Sequence, residues 1–175
     1  MADIFSDFDF AAFWEDSDYA RKEYIGEPAT ETEIKAVEDT LGYKLPAAYI
    51  TFMCHQNGGI PALTNHRTTD RTSWAEDHVA ITGIFSIGSA PNHSLLGYFG
   101  SEFWIREWGY PAIGIYFADC PSAGHDMLCL DYTQCGPQGK PRVVHVDQEW
   151  DYKVTHVADS FESFVRALES DDAFE

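Results

Sequence analysis

Four short apolar stretches in the second half of the chain, residues 112–118, 127–132, 143–147 and 152–158, are joined by connections of only turn length, 119–124, 134–141 and 148–151. These connections are rich in Gly, Pro and Asp, which tolerate positive φ or pre-set a turn. Parallel neighbours need a crossover of about a dozen residues or more, which none of these connections offers. Consecutive strands are therefore predicted to pair as an antiparallel meander. In 112–118, Ile113, Ile115 and Phe117 take one face while Tyr116 and Ala118 leave the other apolar, predicting a central strand covered on both sides. A further β segment is expected over 79–87, with Gly83 as a bulge.

The cover for this sheet has to come from helices. Phe10, Phe13 and Trp14 have the i, i+3, i+4 spacing of one short helical face. Thr30 followed by Glu33 is a capping box, opening a helix with Ile34, Val37 and Leu41 inward and Gly42 as its left-handed cap. Pro46 suits the first turn of a second helix carrying Tyr49, Ile50, Phe52 and Met53, which Asn57-Gly58-Gly59 stops. Residues 94–108 read equally as a helix or as a strand with a loop. Asp159 or Ser160 caps a last helix in which Phe161, Phe164, Val165 and Leu168 share a face. The expected fold is α+β, a mostly antiparallel meander flanked by N-terminal helices and a C-terminal helix. It forms one domain over 1–175, with a core at about 10–168 and an acidic tail at 169–175 that frays.

Charge narrows the function. Of 175 residues, 29 are Asp or Glu and 11 Lys or Arg, a formal net charge of −18. Phosphate neutralisation takes clustered Lys and Arg, so nucleic-acid and anionic-membrane partners are not expected. The complement of this chain is a cationic partner, although high charge also serves solubility alone. Residues 1–40 hold 12 acids and 3 bases, 41–146 hold 8 and 6, and 147–175 hold 9 and 2, so the acidity belongs to the terminal parts. Hydrophobic residues at 45% are too many for a disordered acidic chain. No run approaches the ~20 apolar residues of a membrane span, and residues 1–15 carry neither a basic start nor an apolar stretch of secretory type, so a cytoplasmic location is expected. Cys54, Cys120, Cys129 and Cys135 contain no C-x-x-C pair and are expected to be reduced and mostly buried.

The search for chemistry returns little. Among His125, Asp126, Cys129 and Cys120, the four-residue step from His125 to Cys129 along a strand spans about 13 Å, so no shared metal is expected. Cys54-His55 pairs a nucleophile type with a base type, but helical neighbours point about 100° apart and Cys54 is read as part of an apolar face. Asp119, Asp126 and Asp131 flank one predicted hairpin, at whose rim they could meet, but Asp119 and Asp126 are read mainly as solvated turn formers. No phosphate-binding Gly pattern occurs. Residues 60–77, with Arg71 and Trp74 among them, form the longest expected loop, and loops of that length are disproportionately functional.

Taken in order, Leu41-Gly42-Tyr43-Lys44-Leu45-Pro46, Tyr49, Phe52 and Asn57-Gly58-Gly59-Ile60-Pro61 resemble the N-terminal half of the SUKH superfamily, the Smi/Knr-like domains. Gly124-His125-Asp126-Met127-Leu128-Cys129-Leu130-Asp131 and Ala158-Asp159-Ser160-Phe161-Glu162-Ser163-Phe164 are similar to its later strand and closing helix. Many members carry Asp-His-Glu where this chain has Asp147-Gln148-Glu149. The resemblance implies helices packed on a mostly antiparallel sheet, no catalytic set and no cofactor. It also implies the role of a bacterial immunity protein that neutralises a cognate toxin, often a nuclease, by binding it. The alternatives are a regulatory scaffold of the cell-wall-synthesis type, as in fungal relatives, and a small hydrolase built on Cys54 or on the three aspartates. For a cationic toxin partner, the expected contacts are Trp74, Arg71, Asp119, Asp126, Asp147, Glu149 and Asp151. Trp104, Trp108 and Trp150 are further possible anchors.

Overall fold

A computed structural model of the chain describes residues 3–174. Its helices are α1 (Phe10–Phe13), α2 (Asp18–Glu23), α3 (Glu31–Leu41), α4 (Ala47–His55), α5 (Ser101–Trp108) and α6 (Phe161–Arg166). The strands are β1 (Asn65–Arg67), β2 (His78–Ala80), β3 (Gly83–Ile84), β4 (Gly114–Asp119), β5 (Asp126–Asp131), β6 (Arg142–Asp147) and β7 (Lys153–Ala158). The fold is α+β. β3 to β7 form one antiparallel sheet in sequence order, as the short connections require. Among the described residues, no helix is long and apolar enough to cross a membrane.

Local chemistry sets the helix ends. Thr30 and Glu33 make both arms of the capping box, and Gly42 closes α3 at φ 82°, donating its N–H to the Glu38 carbonyl. Ser160 caps α6. Pro46 stands one residue earlier than expected, at the cap itself. Residues 94–108 resolve as a coil leading into α5, which ends at Gly109 with φ 74°. The six-residue α2 has no expected counterpart, because it is too short to show a period. Its signal is Ser17, whose hydroxyl accepts from the Ala20 N–H.

The interior is aromatic. Phe117 of β4 meets Phe161 and Phe164 of α6 with ring centres 5.8 and 5.7 Å apart, and Tyr49 of α4 lies 4.7 Å from Phe161. Phe5, Phe8, Phe10 and Phe13 close around Phe52 at 5.0–5.4 Å, so the aromatic N-terminal segment covers the core as its spacing suggested. α5 docks on β4 through the Ser101 hydroxyl, which accepts from the Tyr116 N–H at 2.9 Å.

Three expectations are corrected. The segment 79–87 is two strands rather than one: β2 pairs with β1 in a separate two-stranded sheet, and β3 joins β4. Between them the chain changes partner, Ile81 donating to Thr64 and Thr82 to Asp119. Gly83 makes no bulge; the Tyr24 ring lies so close that a Cβ there would meet it at 2.3 Å. The long loop shrinks as well, since β1 lies within it and the Thr68 N–H to Asp77 carbonyl bond closes the remainder. The tail is ordered rather than frayed. Glu169 pairs with Asn65, Asp171–Phe174 forms a 3-10 turn, and Phe174 stacks on His78 at 4.1 Å beneath Arg67. Glu175, the last residue of that tail, lies outside the described residues.

A methyl group at position 83 has to displace a fully buried ring. Gly83→Ala is therefore expected to cost about 3 kcal/mol or more by urea unfolding, above the usual overpacking range. Gly42→Ala has open space and only its positive φ against it, so about 1 kcal/mol is expected. Equal losses would show that the Tyr24 contact does not constrain the position.

Candidate functional site

Antiparallel register places Asp126, the first residue of β5, directly opposite Asp147, the last of β6. Partners across a pair share a face, so both carboxylates point to the same side of the sheet. Both are buried. Asp126 receives a hydrogen bond from the Ser122 hydroxyl, and its Oδ2 lies 2.7 Å from His145 Nε2. Asp147 accepts from the Ser73 N–H at 2.8 Å and from the Ser73 hydroxyl at 2.7 Å. That second pair ties loop 68–77 to the edge of the sheet.

Within the loop, Thr72 makes a small turn. Its N–H donates to the Ala75 carbonyl at 2.9 Å and its hydroxyl accepts from the Trp74 N–H at 3.2 Å. Trp74 is thereby held outward, 42% exposed on a rigid loop. After Asp147 the chain makes the 3-10 turn Gln148–Trp150, then reverses through Asp151 and Tyr152 at φ 57° and 61°. Positive φ is costly for a tyrosine. Tyr152 is held there by its hydroxyl, which donates to the Trp108 carbonyl, and by its ring against Tyr110 at 5.3 Å. The reversal presents Trp150, 38% exposed, under two cations: Arg71 lies 5.7 Å and Lys153 Nζ 5.3 Å from its ring centre. Lys153 also donates to the Arg71 carbonyl at 3.0 Å.

Together these elements enclose an open cleft of about 460 Å³ lined by Ser73, Trp74, Ser122, His125, Asp126, Glu149 and Trp150. His125 bonds Glu149 and stands edge-on to Trp108. Two exposed indoles, flanking cations and the exposed carboxylates of Glu149 and Asp151 thus meet at one cleft, the combination of anchors and polar rim found at protein interfaces.

Of the residues singled out from sequence, Arg71, Trp74, Asp126, Asp147, Glu149 and Asp151 gather here. Asp126 and Asp147, however, are internal supports rather than free charges, and the expectation that Asp126 is a solvated turn former is overturned by its burial. Asp119 stands apart. It pairs with Met127, so it faces the opposite side of the sheet from Asp126, where the Tyr24 hydroxyl donates to it. Burial raises its carboxyl above the ordinary range against the pull of His93. Trp104 is core, whereas Trp150 is exposed and lines the same cleft as Trp74.

The three aspartates of the hydrolase alternative do not converge. Asp126 and Asp131 occupy opposite ends of β5, about 17 Å apart. Asp131 instead bonds Arg142 and Thr133. Cys54 is exposed, contrary to expectation, as is Cys135, while Cys120 and Cys129 are buried. Cys54 lines a second cleft, of about 690 Å³, between the starts of α4 and α6. Its neighbour His55 is committed elsewhere, its Nε2 2.8 Å from Asp3 and its ring stacked on Phe10. That cleft gathers none of the residues singled out for partner binding.

Set against known families, residues 28–167 match the family model described as SMI1 / KNR4 family (SUKH-1). No curated protein matches the chain.

The Ser73–Asp147 clamp is testable by Ser73→Ala, which leaves a buried carboxylate short of one partner. A loss of about 1–3 kcal/mol in stability is expected, with a red shift of tryptophan emission as Trp74 loosens; an unchanged midpoint and spectrum would contradict the clamp. A second test concerns acid stability. Burial pushes the Asp131 carboxyl up, but the Thr133 N–H and hydroxyl and the Arg142 guanidinium outweigh it and hold the group below its ordinary value. A depressed folded-state value stabilises above the ordinary carboxylate range, and that stabilisation fades as pH falls through the folded-state value. Asp131→Asn should therefore flatten the acid limb of the stability curve, and a limb identical to wild type would refute the assignment.

Proposed function

The chain belongs to the SMI1 / KNR4 family (SUKH-1), and on that premise we propose that it is a non-enzymatic binding protein. In this reading it is a bacterial immunity protein that captures a cognate, cationic toxin in the cytoplasm. The observation that carries the reading is the cleft at the β5–β6 edge, where Trp74 and Trp150 stand exposed on segments braced by the Ser73–Asp147 and Lys153–Arg71 hydrogen bonds. Pre-organised aromatic anchors supply interface energy at little entropic cost, because their loops are ordered before the partner arrives.

Charge supports the same reading. A net charge of −18 draws a cationic partner from a distance, and Glu149 and Asp151 offer exposed carboxylates at the rim. A nuclease toxin presents a basic substrate cleft to such a surface. Arg71 and Lys153 are the local exceptions, and both lie over Trp150, where they orient the indole. Asp126 and Asp147 contribute by holding the cleft's floor and loop.

The test is a binding titration against the product of the adjacent upstream gene. A complex is expected at low salt, with a Kd rising about 30-fold or more for Trp74→Ala and Trp150→Ala. The Glu149→Lys, Asp151→Lys double variant should bind chiefly with a slower on-rate and a weaker salt dependence. Absence of a complex at low salt, or indifference to all four substitutions, would overturn the proposal.

A further inference from the structure

Below the partner cleft lies a polar group that the binding reading does not use. Cys120, just beyond β4, Asp126 at the start of β5 and His145 within β6 come from three neighbouring strands, and one ligand atom of each lies within 4.8 Å of the others. All three side chains are buried. We infer that Cys120, Asp126 and His145 form a site for one divalent transition-metal cation of borderline softness, with the ligand preference of zinc.

The donor set is thiolate, carboxylate and imidazole, the three protein ligand types zinc takes, and three ligands leave a fourth position open. Around a tetrahedral zinc, with bonds of about 2.0–2.3 Å, ligand atoms stand roughly 3.3–3.6 Å apart, so the present spacing needs only side-chain adjustment. Asp126 and the Ser122 hydroxyl bonded to it line the cleft, which supplies the entry path.

Two further observations point to a cation. The first is unbalanced charge: Asp147 also points to this face from across the pair, and its oxygens are satisfied by Ser73 without any positive group. The second is a pair of orphans. Among the described residues, His145 Nδ1 and Thr155 Oγ1 are buried without a partner, and these two residues stand opposite each other in the β6–β7 register. Buried polar atoms left unmatched in a native core call for an explanation. An imidazole that ligates through one nitrogen reorients its ring, bringing the other nitrogen within reach of Thr155.

Binding exchanges one proton for the metal. The Cys120 S–H bond breaks, its proton leaves to solvent and a sulfur–metal bond forms, while the proton of the His145–Asp126 hydrogen bond moves by way of solvent to His145 Nδ1, where the Thr155 hydroxyl accepts it, so that Nε2 and the Asp126 carboxylate are free to take the ion. Affinity should accordingly fall at acid pH.

Cobalt(II) serves as a visible probe, because a thiolate ligand gives a sulfur-to-cobalt charge-transfer band. The experiment uses the full chain carrying Cys54→Ser and Cys135→Ser, which removes the exposed thiols. One equivalent of cobalt is expected to raise the band, and zinc to bleach it. Adding Cys120→Ser should abolish the band, and His145→Gln should weaken binding by more than about 10-fold. If Cys120→Ser fails to fold, the parent protein decides: excess zinc should raise its Tm in a concentration-dependent way. No band at one equivalent, a band that survives Cys120→Ser, or a Tm indifferent to zinc would each overturn the inference.

Discussion

The unbroken register between β5 and β6 sets Asp126 opposite Asp147 and Leu128 opposite His145, and everything at the functional end of the molecule follows from that alignment. A slip of one residue would send every side chain of β6 to the other face. Asp147 would then leave Ser73, the loop bearing Trp74 would lose its anchor, and His145 would no longer reach Asp126. The register is held because the flanking positions, Met127 to Leu130 and Val143 to Val146, are buried on both faces. The apolar packing of the sheet thus fixes where its few polar side chains can stand. An acidic protein can place the carboxylates of Asp126, Asp131 and Asp147 inside only because each has a matched hydrogen-bond donor.

Much of this was readable in the chain. The meander, the capping box at Thr30, the Gly42 stop and the aromatic faces of the N-terminal segment and α6 are local patterns, and they appear where the spacing put them. The failures are all non-local. Gly83 looks like a bulge until the ring of Tyr24, far away in sequence, is placed against it. The change of sheet between β2 and β3 depends on β1, a three-residue strand with no alternation to read. The tail orders because Phe174 finds His78 and Arg67. Cys54 looks apolar on its helix, yet the helix turns it to a cleft.

The site was legible as a list and illegible as a place. Arg71 and Trp74 came from loop length, and Asp147, Glu149 and Asp151 from charge. These two segments come together through the Ser73–Asp147 bonds and the contacts of Arg71 with Lys153 and Trp150, all of them distant in sequence. The same holds for the polar group under the cleft. Searching neighbours in sequence paired His125 with Cys129, whereas the residues that meet are 120, 126 and 145 on adjacent strands. Counting outward from the 134–141 connection with the correct register would have placed His145 within reach of Asp126. The acidity also resolves into distinct parts. Some carboxylates brace the interior, as Asp126, Asp131 and Asp147 do, while Glu149 and Asp151 stand exposed at the rim.

On this account, the buried clamp at the sheet edge exists to present a rigid, two-tryptophan surface to a protein partner. Amide hydrogen exchange of the full chain, measured alone and with the product of the adjacent upstream gene, tests that claim most directly. The account predicts added protection concentrated in residues 71–76 and 148–153, with β5 and β6 already slow in the free protein. Protection confined instead to the cleft between α4 and α6, around Leu45, Cys54 and Phe161, would contradict it.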